Sequence, residues 1–347
     1  MIAHTLPLDF PHTDLAGDCY PQPNLWQIQK RSQTLVCKHL SAETLGDRLQ
    51  DLPAQFRNPQ PRPWKRLDWQ NVDASQIIGI DPLVFLAILA GSADTEEPIR
   101  GYTQTSRQYL EPLHPDMARF VGGVPDDAGT LIELGLWEKE ERQHAPALQK
   151  LYTQLTGLKL RLLSHAPRPY EPTGNARDDL YYHGLHRIAT EYGATCLYLW
   201  LMAHSTGPLQ AVLEELLLDE INHMTKFWGF GRWLFPEASG LKVLYTLGYS
   251  AFEKLWKQER HSSLLHTLRR MAQVLHWEAW SWRNQASFVW TFAIALTQLQ
   301  SWHKTLVPDD LQRLFGSRPL HPIQDPCNLR LDSIRPVGAQ GLAPLRR

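Results

Sequence analysis

Four stretches of the chain space their apolar residues at the alternating three and four positions of an amphipathic helix, and an acid interrupts each stripe. The first reads Phe85, Leu89, Ser92, Glu96 and Ile99, and the second Leu134, Trp137, Glu141, His144, Leu148 and Leu151. The third reads Leu180, Gly184, Ile188, Glu191, Thr195, Tyr198 and Met202, and the fourth Leu209, Leu213, Leu216, Glu220, His223 and Phe227. A carboxylate or imidazole inside an apolar seam costs on the order of several kcal/mol unless a partner compensates it. The pattern therefore predicts helices whose buried faces meet around a shared polar centre.

Local signals set the boundaries. Asp81-Pro82 reads as a cap followed by proline in the first turn. Pro98 and Pro146 each remove a helical N–H and predict kinks close to Glu96 and His144. Asp126 or Asp127 is expected to begin the second helix, which fades near Gly157. A Pro- and Gly-rich loop, 166–177, precedes the third helix, expected from Asp178, and Thr206-Gly207-Pro208 turns it into an antiparallel fourth. Further amphipathic helices are expected over 240–256, 262–277 and 278–302, with a short one after Pro308. The expected organisation is all-α: a ferritin-like four-helix bundle with additional packed helices over 73–315. An irregular N-terminal arm, 1–72, precedes it, regular only in a short helix after Ser41, and a loosely attached tail, 316–347, follows.

With 43% apolar residues in 347 and a formal charge of −1, the chain has enough apolar material for one large core, and no polyanionic partner is implied. The basic stretches 57–66 and 260–270 read as solvated surface. Cys19, Cys37, Cys196 and Cys327 are too scattered for a zinc ribbon or a disulfide framework, which fits a reducing, cytoplasmic setting. No signal-like leader and no apolar run of membrane length is seen.

Two seams contain Glu-x-x-His, Glu141 to His144 and Glu220 to His223, and residues three apart share one side of a helix. Either pair alone fits an ordinary buried ion pair, and Glu191 has Arg187 one turn earlier as a candidate partner. In carboxylate-bridged dimetal bundles two helices each supply Glu-x-x-His and two others a single Glu, a part Glu96 (or its neighbour Glu97) and Glu191 fit. Carboxylates with imidazoles suit iron, with manganese the second candidate, better than structural zinc.

The order Glu96, Glu141, His144, Glu191, Glu220, His223 resembles that of the soluble acyl-carrier-protein desaturases of the ferritin-like superfamily. Thr95-Glu96-Glu97 is similar to that family's Thr-Glu-Glu helix, 137–148 to its Trp-x-x-Glu-Glu-x-x-His segment, and 219–223 to its Asp-Glu-x-x-His. Trp64 with Asp68-Trp69 looks like its N-terminal tryptophan motif, so the likeness spans roughly residues 64–234. The family's Glu-x-x-Thr is one residue longer here, Glu191 to Thr195, and the C-terminal part has no counterpart. The resemblance implies two iron ions, bridged by Glu141 and Glu220 and held terminally by Glu96 and Glu191, with one imidazole each. It further implies desaturation of a fatty-acyl chain presented by acyl carrier protein, electrons from a ferredoxin by way of Trp64, Asp219 and His144, oxygen activation aided by Thr195, and a homodimer. Oxygenation of another substrate and iron storage are the alternatives, although Leu216 stands where N-oxygenases carry an extra histidine.

Overall fold

The computed structural model describes residues 22–162, 176–236 and 277–317. Helix dominates them: α1 (Leu25–His39), α2 (Ala42–Gln50), α3 (Leu52–Arg57), α4 (Pro82–Glu96), α5 (Ile99–Leu110), α6 (Pro115–Gly122), α7 (Leu136–Glu141), α8 (His144–Thr156), α9 (Ala176–Ala203), α10 (Gly207–Leu234), α11 (Trp282–Thr305) and α12 (Pro308–Phe315). The helices expected over 240–256 and 262–277, most of the 166–177 loop and nearly all of the tail lie outside the described residues. No described helix is long and apolar enough to cross a membrane.

Helices α9 and α10, 28 residues each, lie antiparallel along one another, and α4 runs beside α8. The turn between α9 and α10 is tied down by Arg31, which donates to the carbonyls of Ala203 and Ser205 at 2.7 and 2.6 Å and so satisfies acceptors that a helix end leaves open. His204 Nδ1 adds a contact of 2.9 Å with the Ile78 carbonyl. Helix α1 packs on α9 and α11, and α2 on α10 and α11, so these N-terminal helices cover the long pair.

Three local expectations change. Residues 25–39, expected to be irregular, form α1, because Asn24 and Gln27 make a reciprocal capping box. Asp126 does not begin a helix: its Oδ1 accepts from the N–H groups of Ala128 and Thr130 at 3.0 and 2.7 Å and closes a hairpin between β1 (Val124–Pro125) and β2 (Leu131–Glu133). Helix α7 follows only after Gly135. At Pro98 and Pro146 the expected local openings take the form of two-residue turns, so that Glu96 ends α4 and Glu141 ends α7, while Arg142 and Gln143 keep right-handed helical backbone.

Candidate metal centre

On α10 the apolar stripe fixes the orientation of the polar pair. Leu209, Leu213, Leu216 and Phe227 are buried, and the same face carries Glu220 and His223 inward to 2% and 0% exposure. Glu191 reaches the same space from the middle of α9, Glu96 from the last residue of α4, and Glu141 and His144 from either side of the interruption between α7 and α8. Glu97, one residue on from Glu96, is exposed and takes no part.

Ligand-type atoms of Glu96, Glu141, His144 and Glu220 all lie within 4.8 Å of one another, and the same holds for Glu141, Glu191, Glu220 and His223. Each group could hold a metal ion, and Glu141 and Glu220 belong to both. His144 Nδ1 stands 3.2 Å from carboxylate oxygens of both Glu141 and Glu220, and His223 Nδ1 2.9 Å from Glu141 and 3.5 Å from Glu191. Despite these approaches, both Nδ1 atoms, Glu191 Oε2 and Glu220 Oε1 are buried without a hydrogen-bond partner. Buried orphans of this kind, converging on one point with the donor set of a hard or borderline cation, fit a metal.

The far side of each imidazole is anchored. His144 Nε2 meets Asp219 Oδ2 at 3.4 Å, and His223 Nε2 meets Glu140 Oε2 at 2.7 Å. A carboxylate only accepts, so each Nε2 carries a proton and each Nδ1 faces the cluster, where its lone pair becomes available to a metal once that nitrogen gives up its own proton. The anchoring is crossed: α10 holds the histidine that opens α8, and α7 holds the histidine of α10. Asp219 also accepts from Trp64 Nε1 at 2.8 Å, so Trp64, Asp219 and His144 form a continuous contact chain. Trp137 Nε1 donates to Glu141 Oε1 at 2.9 Å. Thr195 lies one turn beyond Glu191, fully buried, with its hydroxyl unpartnered.

Glu140 and Arg62 carry this arrangement and escape a reading of the sequence. Arg62 donates from Nε to Asp219 at 2.9 Å and from its backbone N–H to Glu140 at 2.7 Å, and its guanidinium also pairs with Glu215. The 57–66 stretch is therefore not wholly solvated surface, since the Arg62 side chain is only 22% exposed. A signal for Glu140 did exist: it precedes Glu141 as Asp219 precedes Glu220.

The electrostatics are those of a site suited to a cation. Burial, then the Glu141 charge, raises the carboxyls of Glu96 and Glu220 well above the usual range. Burial also opposes ionisation of Glu141, yet His144 and His223 hold it well below that range. For both histidines desolvation favours the neutral ring, and it is outweighed by the carboxylates around them, chiefly Glu141 for His144 and Glu140 for His223, so both are raised. Protons thus occupy places where a metal would otherwise supply positive charge. An apolar cavity between α9 and α10 is lined by Ile188, one turn before Glu191, and Phe227, one turn after His223, but by none of the six ligand candidates.

Comparison with protein families, curated proteins and solved structures returned no match.

Proposed function

We propose that this chain is an oxygen-dependent di-iron oxidoreductase on a ferritin-like bundle, acting on unactivated C–H bonds. The substrate favoured by the sequence resemblance is a fatty-acyl chain on acyl carrier protein. One observation carries the reading: two four-residue ligand groups share Glu141 and Glu220, and each has a single imidazole with its Nδ1 unpartnered.

Glu96 and His144 would hold one ion, Glu191 and His223 the other, and Glu141 and Glu220 would serve both. Two divalent cations balance the charge of these four carboxylates, which removes the cost of burying them together. Bound iron supplies the activation of oxygen and the hydrogen abstraction. The chain's own residues do the rest. Asp219 and Glu140 fix the two rings, and the seam leucines keep water from the cluster. The contact of Trp64 with Asp219, and of Asp219 with His144, supports an electron route from a ferredoxin.

The test is anaerobic titration with ferrous iron and metal analysis, then addition of reductant, oxygen and acyl carrier protein loaded with saturated chains. Two irons per chain and loss of two hydrogens from the acyl group are expected. A folded, helical protein that holds no iron overturns the metal reading, and a hydroxylated product replaces desaturation with oxygenation.

A further inference from the structure

The two halves of the cluster look alike in their ligands and differ in what stands behind their histidines. Asp219, behind His144, is held by the Trp64 indole and the Arg62 guanidinium. Glu140, behind His223, accepts from the Arg62 backbone and, at 3.4 Å, from Asn222 Nδ2. The other end of the Asn222 amide is taken by Lys226, whose Nζ donates to Asn222 Oδ1 and to the Arg48 carbonyl at 2.9 Å, and forms an ion pair with Asp51 Oδ1 at 2.7 Å.

Lys226 lies one turn beyond His223, and its side chain is 0% exposed while Asp51 is 43% exposed. A lysine is among the residues least often buried, and a well-packed apolar residue in its place is often neutral or stabilising. What the ammonium does here is decide which way an amide faces. With three donors and no acceptor it can only meet the oxygen of Asn222, which leaves the NH₂ group for Glu140. Without it, the amide can turn and set its oxygen against the Glu140 carboxylate.

We propose that Lys226 is a positioning residue for His223, acting through Asn222 and Glu140, and that this makes the His223 half of the metal centre inequivalent to the His144 half. The proposal rests on the reading of the cluster as a two-iron site. Its alternative is a purely structural tie between α10 and the α2–α3 corner.

The test uses Lys226→Met, which keeps the length of the side chain and removes the charge, and Asn222→Ala, which leaves the Lys226 to Asp51 pair in place. Each variant is titrated anaerobically with ferrous iron, and the loaded protein is examined by Mössbauer spectroscopy. Loss of an outer partner of a metal-bound histidine weakens metal binding about ten-fold or more. Both variants keep Glu140 and disturb only its support, so one of the two iron-binding steps should weaken by up to about that factor in both, with one of two quadrupole doublets shifted and the other unchanged. Wild-type binding and spectra in a folded Lys226→Met, with only its melting temperature lowered, overturn the proposal in favour of the structural tie. Equal weakening of both steps also overturns it. If Lys226→Met does not fold, Asn222→Ala decides on the same readouts. A wild-type protein that is folded and binds no iron refutes the two-iron reading itself, a result separate from any effect confined to the variants.

Discussion

Trp64 illustrates how little material joins the protein surface to the cluster: one indole N–H, one carboxylate and one imidazole. Trp64→Phe removes the donor and keeps the ring, so metal content and reduction by dithionite should stay as in the wild type while ferredoxin-dependent turnover slows. Wild-type turnover would refute the route. For Glu191 the neighbouring His223 Nδ1, 3.5 Å away, suggests a ligand, whereas the sequence also offers Arg187 as a partner. Glu191→Gln keeps shape and removes charge, so iron binding should fall by about ten-fold or more. Unchanged metal content with lower stability would support the ion pair with Arg187. At this scale the sequence exposes the inward residues well, because an acid in an apolar stripe has few structural reasons to be there. Glu140 and Arg62 are less visible, because their roles depend on how α7, α10 and an irregular segment approach one another, which no local pattern encodes.

Helices were legible where periodicity was long and obscure where a cap or turn decided the outcome. The seams of α9 and α10 identify themselves over about five to six turns, but α1 depends on the Asn24 and Gln27 box, and the hairpin on Asp126 folding back on Thr130. That hairpin is closed by Gly123, at φ +80° and ψ −156°, where an added Cβ would lie 1.8 Å from the Glu133 carbonyl oxygen. Gly123→Ala should destabilise the fold by at least about 2 kcal/mol, read from denaturant unfolding, since that region of backbone space is essentially reserved for glycine. Pro146, in the first turn of α8, offers no N–H to the Arg142 carbonyl and so leaves the ladder open between α7 and α8. Pro146→Ala should let the two helices join, change the spacing of Glu141 and His144, and reduce iron affinity while helicity by circular dichroism holds or rises.

The whole fold should feel the metal through linkage, with a definite sign. In the metal-free protein His144 and His223 are raised above their ordinary value of 6.5, so the stability they contribute is fully present below that value and is lost as pH rises through their folded values. Glu96 and Glu220, raised above 4.5, act in the same direction, because the unfolded chain releases those protons first. Glu141 and Asp219 are lowered and oppose the trend only in acid, where their contribution is lost as pH falls. A metal replaces the protons, so the rise in melting temperature on adding ferrous iron should be larger at about pH 8 than at about pH 5.5. An increment independent of pH would contradict this.

The interruptions at Glu96 and Glu141 have a mechanical consequence. Glu191, Glu220 and His223 ride on helices continuous through the cluster, whereas Glu96, Glu141 and His144 sit at helix ends, where peptide groups lack part of their ladder. On the proposed reading, a carboxylate that shifts as coordination changes should do so more readily on the α4 and α7–α8 side than on the continuous helices. Amide hydrogen exchange would measure the difference. Sites in the first turns of α5 and α8 should exchange by local opening and slow when metal binds, while those flanking Glu220 should exchange only when the whole molecule unfolds.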